Sequence, residues 1–157
     1  MKKFKNETWE LCSDKVFQSY RKTVTDTSDH FKEFFNRIPS GRVMFYAGDV
    51  DMACNFVGVE AFSEYLRNKM KFEVKNEYMP WEFEDSDGSI QIGGFIRQFE
   101  RLTFVTVKGA GHMVPTDKPI PAKAMIKNFL NGDFWNFSGT RKFFNFIFFL
   151  QGYFFSG

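Results

Sequence analysis

Cysteine, histidine and proline are scarce in this 157-residue chain, at two, two and five residues. Two cysteines as far apart as Cys12 and Cys54 exclude the dense disulfide lattice of a small secreted scaffold. They read as buried thiols, or as cysteines with a partner outside this chain. With five prolines and 12 glycines, a collagen-like or proline-rich rod is excluded. Excess charge is missing too. Lys plus Arg number 21 and Asp plus Glu 19, and a net charge of +2 is too small for a protein that binds by neutralising phosphates. Nucleic acid is therefore not an expected partner. Long apolar runs are also lacking. The best, Phe143 to Leu150, contains Asn145 and falls short of the ~18–20 residues that a spanning helix needs, so no membrane span is expected. The basic start, Met1-Lys2-Lys3, is not followed by the ~7–15 apolar residues of a signal peptide, so none is expected in the sequence as written.

What abounds is phenylalanine, with 23 residues, seven of them between Phe143 and Phe155. That end is judged separately, because it has no clear period. The rest has room for one domain. An apolar share of 43% and a charged share of 25% are those of an ordinary globular protein.

From Trp9 to Phe35 the pattern is helical. Val16, Tyr20 and Val24 recur at fourth positions, and Phe31, Phe34 and Phe35 follow, with a break at Thr25–Asp29. His30 lies in the polar part of this stretch and reads as a surface residue. Arg42 to Ala47 is a short apolar run, as expected of a strand buried on both faces. A helix capped by Asn55 follows, with Val59, Phe62, Leu66 and Met70 on one side. Phe72 and Val74 share a face in a partly alternating stretch, and Asp85–Ser89 is a turn. Residues 90–100 and 102–108 read as two strands, or as a strand and its hairpin partner. A last helix over about Pro121–Leu130 buries Ala122, Met125, Ile126, Phe129 and Leu130. Strands alternating with amphipathic helices predict an α/β fold around a parallel sheet.

Parallel sheets collect chemistry at the carboxyl ends of their strands. Two loops begin at such ends. One carries Asp49 and Asp51; the other, Gly109-Ala110-Gly111-His112, carries a histidine among small residues. A carboxylate on a neighbouring strand end could accept the imidazole Nδ1 proton, leaving Nε2 to take a proton from a nucleophile. The plainer alternative is a loop histidine bonded to backbone, with Asp51 as a helix cap. Asp49 stays open as the acid in place of Asp51. A nucleophile is not evident: none of the nine serines sits in a G-x-S-x-G elbow. Cys54 lies near a helix start, which can lower a thiol pKa, but it lacks the glycine elbow and reads as a small buried thiol. Asn6-Glu7-Thr8 and Asn136-Phe137-Ser138 fit the glycosylation acceptor pattern, a short and weakly specific one.

Tyr46-Ala47-Gly48-Asp49-Val50-Asp51-Met52-Ala53-Cys54-Asn55 resembles the segment around the catalytic aspartate of serine carboxypeptidases. Val107-Lys108-Gly109-Ala110-Gly111-His112-Met113-Val114-Pro115 resembles the segment around their catalytic histidine. Gly93-Gly94-Phe95 and Ala124–Leu130 fit the same family, and within it the lysosomal cathepsin A branch. The resemblance implies an α/β-hydrolase fold of which residues 1–134 are the C-terminal part. Residues 135–157 are then an atypical Phe-rich tail, expected to be foreign to the fold. It implies Asp51 and His112 as the catalytic pair, and Cys54 and Met113 on the leaving-group side of the substrate pocket. By the same resemblance Cys12 pairs with a cysteine missing from this chain, and Asn6 is the glycosylation candidate. The serine, the oxyanion donors and the groups that grip the substrate carboxylate are expected upstream of Met1. Other implications are a peptide substrate, cleavage favoured at acidic pH, no cofactor or metal, and a lysosomal, vacuolar or secreted location for the full-length form. As partners it implies the large part of the same enzyme and a possible homodimer. Three further readings stay open: the small subunit of a two-chain enzyme, a non-catalytic remnant, and an acyltransferase or hydroxynitrile lyase on the same fold.

Overall fold

A computed structural model describes residue 10 and residues 13–132. Cys12, Asn6, Asn136 and the Phe-rich tail, on which several expectations fall, lie outside the described residues.

The elements in chain order are α1 (Asp14–Ser19), α2 (Ser28–Arg37), β1 (Val43–Gly48), α3 (Phe56–Met70), β2 (Val74–Glu84), β3 (Ile90–Phe99), β4 (Leu102–Val107), α4 (Val114–Asp117) and α5 (Pro119–Asn131). The four strands form one sheet in the order β1-β4-β3-β2. β1 and β4 are parallel, whereas β4, β3 and β2 are antiparallel neighbours. The sheet is thus mixed. The parallel arrangement expected from the sequence holds for β1 and β4, and the residues between them return as a hairpin.

β1 and β4 are buried at every position, because helices cover both sheet faces. Alternation divides their side chains. Val43, Phe45, Leu102 and Phe104 face α2 and α3, where they meet Phe31, Phe35, Phe62 and Leu66. Met44, Tyr46, Val105 and Val107 face α5, where they meet Ala122, Met125 and Phe129. Much of the phenylalanine excess is core. Phe31, Phe45 and Phe62 form a ring of edge-on contacts with centroids 5.4 to 6.0 Å apart.

Asn55 caps α3 by accepting the Gly58 N–H at 3.0 Å. Gly132 closes α5 in the left-handed conformation, φ 79°. The helical stretch expected before Phe35, with its break at Thr25–Asp29, holds two helices, and the second starts inside that break, at Ser28. α1 ends at Ser19, and Val16, Tyr20 and Val24 are exposed, so their spacing marks no core face. Phe72 is buried and Val74 exposed, so only the first of the two joins the core. Leu130, placed on the buried side of the last helix, is exposed.

Trp81 of β2 donates its indole N–H to the Thr106 carbonyl at 2.9 Å. The room for it comes from β3: a Cβ on Gly93 would stand 2.3 Å from the indole, and Gly94 adopts φ +152° against the Thr106 carbonyl. This fixes the hairpin onto β4 and so holds the strand that leads into the histidine loop.

Candidate active site

The register of the parallel pair builds the site. Gly48 lies opposite Val107, so β1 and β4 release their loops at the same end of the sheet, side by side. Two segments 61 residues apart in sequence then face each other, and the His112 Nδ1 meets the Asp51 Oδ2 at 3.0 Å.

Asp51 is held from both sides. Its Oδ1 accepts the Ala53 N–H at 2.8 Å and the Cys54 N–H at 3.0 Å as the chain turns into α3. Its Oδ2 is left for the imidazole. The Asp51 side chain is 3% exposed and that of His112 37%, so the acid is sealed in and the ring keeps an open edge. Burial is the largest single influence on the Asp51 carboxyl and pushes its pKa up. The Cys54 N–H, His112 and the Ala53 N–H together outweigh it, and the net pKa lies below the ordinary 3.8.

Asp49 and Asp51, equivalent by local sequence, have separate partners. Asp49 Oδ1 accepts the Gly109 N–H at 2.6 Å, across to the histidine loop, while Asp51 takes the ring. Cys54 is half-buried beside Asp51. Desolvation, and then the Asp51 charge, raise its thiol pKa. The lowering that a helix start can bring is overridden, so Cys54 stays protonated and is a poor nucleophile. Met113 follows His112 with half its surface exposed, on the same rim. His30 lies exposed on α2, as expected.

Asp51, Cys54 and His112 place an oxygen, a sulfur and a ring nitrogen within 4.8 Å of one another. A metal there would have to displace the proton between Oδ2 and Nδ1 and ionise a thiol whose pKa is raised. The donor chemistry suits a hydrogen-bonded pair better than a metal centre.

Gly48 and Asp117 complete the site, and sequence reasoning gave them no role. A Cβ on Gly48 would lie 2.0 Å from the Ala110 carbonyl oxygen. Asp117 Oδ2 accepts the Gly111 N–H at 2.8 Å. The available signal was a glycine directly at a strand end and a carboxylate five residues beyond the histidine.

An Asp–His pair on adjacent parallel strand ends, with helices on both faces of the sheet, is the arrangement with which α/β hydrolases activate a hydroxyl. The sequence comparisons agree. The family model for serine carboxypeptidase matches residues 1–132, and the chain belongs to that family. It is 37% identical over 123 residues to mouse (Mus musculus) lysosomal protective protein, covering 78% of this chain and 25% of the relative. It is 33% identical over 141 residues to the serine carboxypeptidase ctsa-3.2 of Caenorhabditis elegans, covering 83% and 27%. It is also 32% identical over 126 residues to P-(S)-hydroxymandelonitrile lyase of Sorghum bicolor, covering 80% and 23%. The chain thus spans about a quarter of the length of these curated relatives. No helix among the described residues is long and apolar enough to cross a membrane.

Proposed function

We propose that this chain supplies the acid and base of a serine carboxypeptidase site, which removes C-terminal residues from peptides, and that the nucleophilic serine comes from another part of the enzyme. The single observation that carries this is the sealed Asp51 carboxylate 3.0 Å from the Nδ1 of a half-open His112. With the Nδ1 proton directed to Asp51, Nε2 is the basic atom on the open edge. It takes the proton of an incoming serine hydroxyl as that oxygen attacks the scissile carbonyl, then gives it to the leaving amine. Asp51 holds the tautomer and offsets the imidazolium charge. Its depressed pKa keeps it ionised in a mildly acidic compartment, which supports a lysosomal, vacuolar or secreted setting for the full enzyme, as does the mouse relative's name.

The described serines whose hydroxyls make hydrogen bonds are occupied elsewhere. Ser19 bonds carbonyls within α1, Ser28 meets Lys69, Ser63 bonds Val59 in α3, and Ser89 sits in the β2–β3 turn. This supports a chain that is inactive alone, with Cys54 and Met113 lining the side of the pocket from which the product departs. The large part of the same enzyme is the partner that brings the serine.

The test is a chimaera in which residues 10–132 replace the matching quarter of mouse lysosomal protective protein, assayed on a blocked dipeptide at acidic pH. We expect turnover from the chimaera and none from the isolated chain. His112→Ala in the chimaera is expected to lower kcat by at least ~10³-fold with little change in KM. Turnover that survives His112→Ala overturns the assignment. The sorghum relative favours one second reading, cyanohydrin cleavage by the same pair, and the chimaera distinguishes it by the substrate it consumes.

A further inference from the structure

The loop that carries His112 has one internal main-chain bond before the histidine, Ala110 N–H to Val107 O at 3.3 Å. Gly109 and Gly111 flank a single alanine, and Gly109 sits at φ +69°, so the backbone has many alternatives to the observed path. Two carboxylates grip it from opposite directions. Asp49, on the loop that also bears Asp51, accepts the Gly109 N–H at 2.6 Å. Asp117, at the end of α4, accepts the Gly111 N–H at 2.8 Å. Between these anchors Ala110 is fully buried in the core beside Val114 and Met125. Two main-chain bonds, Asp49 N–H to Val107 O and Val50 N–H to Ala110 O, each 3.2 Å, lay the loops together. Gly48 lets them touch.

We infer that Asp49 and Asp117 are the positioning residues of His112, a pair of carboxylates that set where the imidazole stands relative to Asp51. They act on backbone N–H groups one and three residues before the histidine. Asp49 couples both halves of the pair directly, because it lies two residues before Asp51 and bonds the loop of His112. An ionised acceptor bonds an N–H more strongly than a neutral carbonyl does, which matters in a glycine-rich loop. The inference rests on the Asp51–His112 reading given above, but it concerns ring geometry and not turnover.

The test uses the full 157-residue chain with ¹⁵N-labelled histidine and glycine. The readout is the Nδ1 proton of His112, shifted downfield by its carboxylate bond, and its exchange with water; His30, exposed on α2, is the internal reference. Asp49→Ala and Asp117→Ala are each expected to speed that exchange by about five- to tenfold, with His30 unchanged. Asp49→Asn and Asp117→Asn, which keep an acceptor oxygen, are expected to speed it by about two- to threefold. Asp87→Ala, which removes an exposed carboxylate from the β2–β3 turn, is expected to leave it as it was.

The inference is overturned if the alanine variants fold, lose protection at the Gly109 or Gly111 amides, and leave the His112 proton unaltered. Should they fail to fold, the double variant Asp49→Asn/Asp117→Asn decides, and wild-type exchange in that protein overturns it equally. A wild-type chain with no downfield His112 proton removes the Asp51–His112 pair and this inference together. A wild-type signal that is present but indifferent to both carboxylates removes this inference alone.

Discussion

At the scale of single residues, one carboxylate carries both structure and chemistry. Asp51 Oδ1 ends two backbone N–H groups at the entry to α3, and Oδ2 holds the imidazole. The folded chain thus stabilises the ionised form, and the Asp51 pKa falls below the ordinary 3.8 although burial alone would raise it. A carboxyl depressed by folding contributes stability that is fully present above its unfolded pKa and is lost as pH falls through its folded one. The window for Asp51 therefore opens near 3.8 and extends downward. Urea denaturation between about pH 6 and about pH 2 should show wild-type stability declining through that window, and Asp51→Asn should lack part of the decline. At neutral pH the variant should be less stable by about 1–3 kcal/mol, since an amide bonds the two N–H groups more weakly than a carboxylate and presents no charge to His112. Acid limbs that superimpose would show that the lowered pKa contributes nothing to folding.

At the scale of elements, Arg101 decides how α2 enters the sheet. Its guanidinium donates to the carbonyls of Gly41 at 2.9 Å, Phe35 at 3.0 Å and Ile38, and lies 4.6 Å from the Phe35 ring centroid and 5.9 Å from that of Phe72. It thereby supplies acceptors at the α2 C-terminus with the donors that the helix cannot provide. Arg101→Ala should cost about 2–4 kcal/mol in urea denaturation, and Arg101→Lys should recover only part of it, because an ammonium cannot span three carbonyls and two rings. A loss under about 0.5 kcal/mol would place Arg101 among the ordinary surface cations. None of this was legible in sequence, where Arg101 is one cation in a turn. Local signals did locate much else. β1 reads as buried because both its faces are covered, and Asn55 reads as a cap. The stripe of Val16, Tyr20 and Val24 misleads because spacing reports where side chains point and not whether anything covers them. α4 was hidden behind Pro115, which suits a first helical turn as well as it suits a loop. Composition and spacing alone could not choose between Asp49 and Asp51, since both follow the same strand; the family resemblance named Asp51, and in the fold Asp49 bonds the Gly109 N–H while Asp51 meets His112.

For the whole molecule, the informative feature is the place of β1 in the sheet. All six of its residues are buried, as in a strand from the middle of an α/β sheet, yet among the described residues it ends the strand order and pairs with β4 alone. Side chains buried on both faces and a terminal position rarely go together in a protein that works by itself, because an apolar sheet edge recruits further strands. Val50, Met52 and Met113, the chain neighbours of Asp51 and His112, add exposed apolar surface beside the pair. Natural monomers seldom leave such a cluster facing water. Both features fit the partner proposed above, whose surface would run along β1 and over the Asp51–His112 rim. The isolated chain should therefore self-associate as its concentration rises, and sedimentation velocity should show a mass average that climbs over a range of about 1–100 μM. Co-expression with the remaining three quarters of a carboxypeptidase relative should replace the aggregates by one equimolar species. A lysine in place of Val43, which points into the layer shared with α2 and α3, would only unfold the chain and test nothing. The informative substitution is Met52→Lys on the exposed rim, 93% accessible, which should reduce self-association while leaving the melting transition in place. A chain that stays a monodisperse monomer and melts cooperatively across that range would mean that β1 tolerates its terminal position. The serine would then have to reach His112 without a neighbouring strand to guide it.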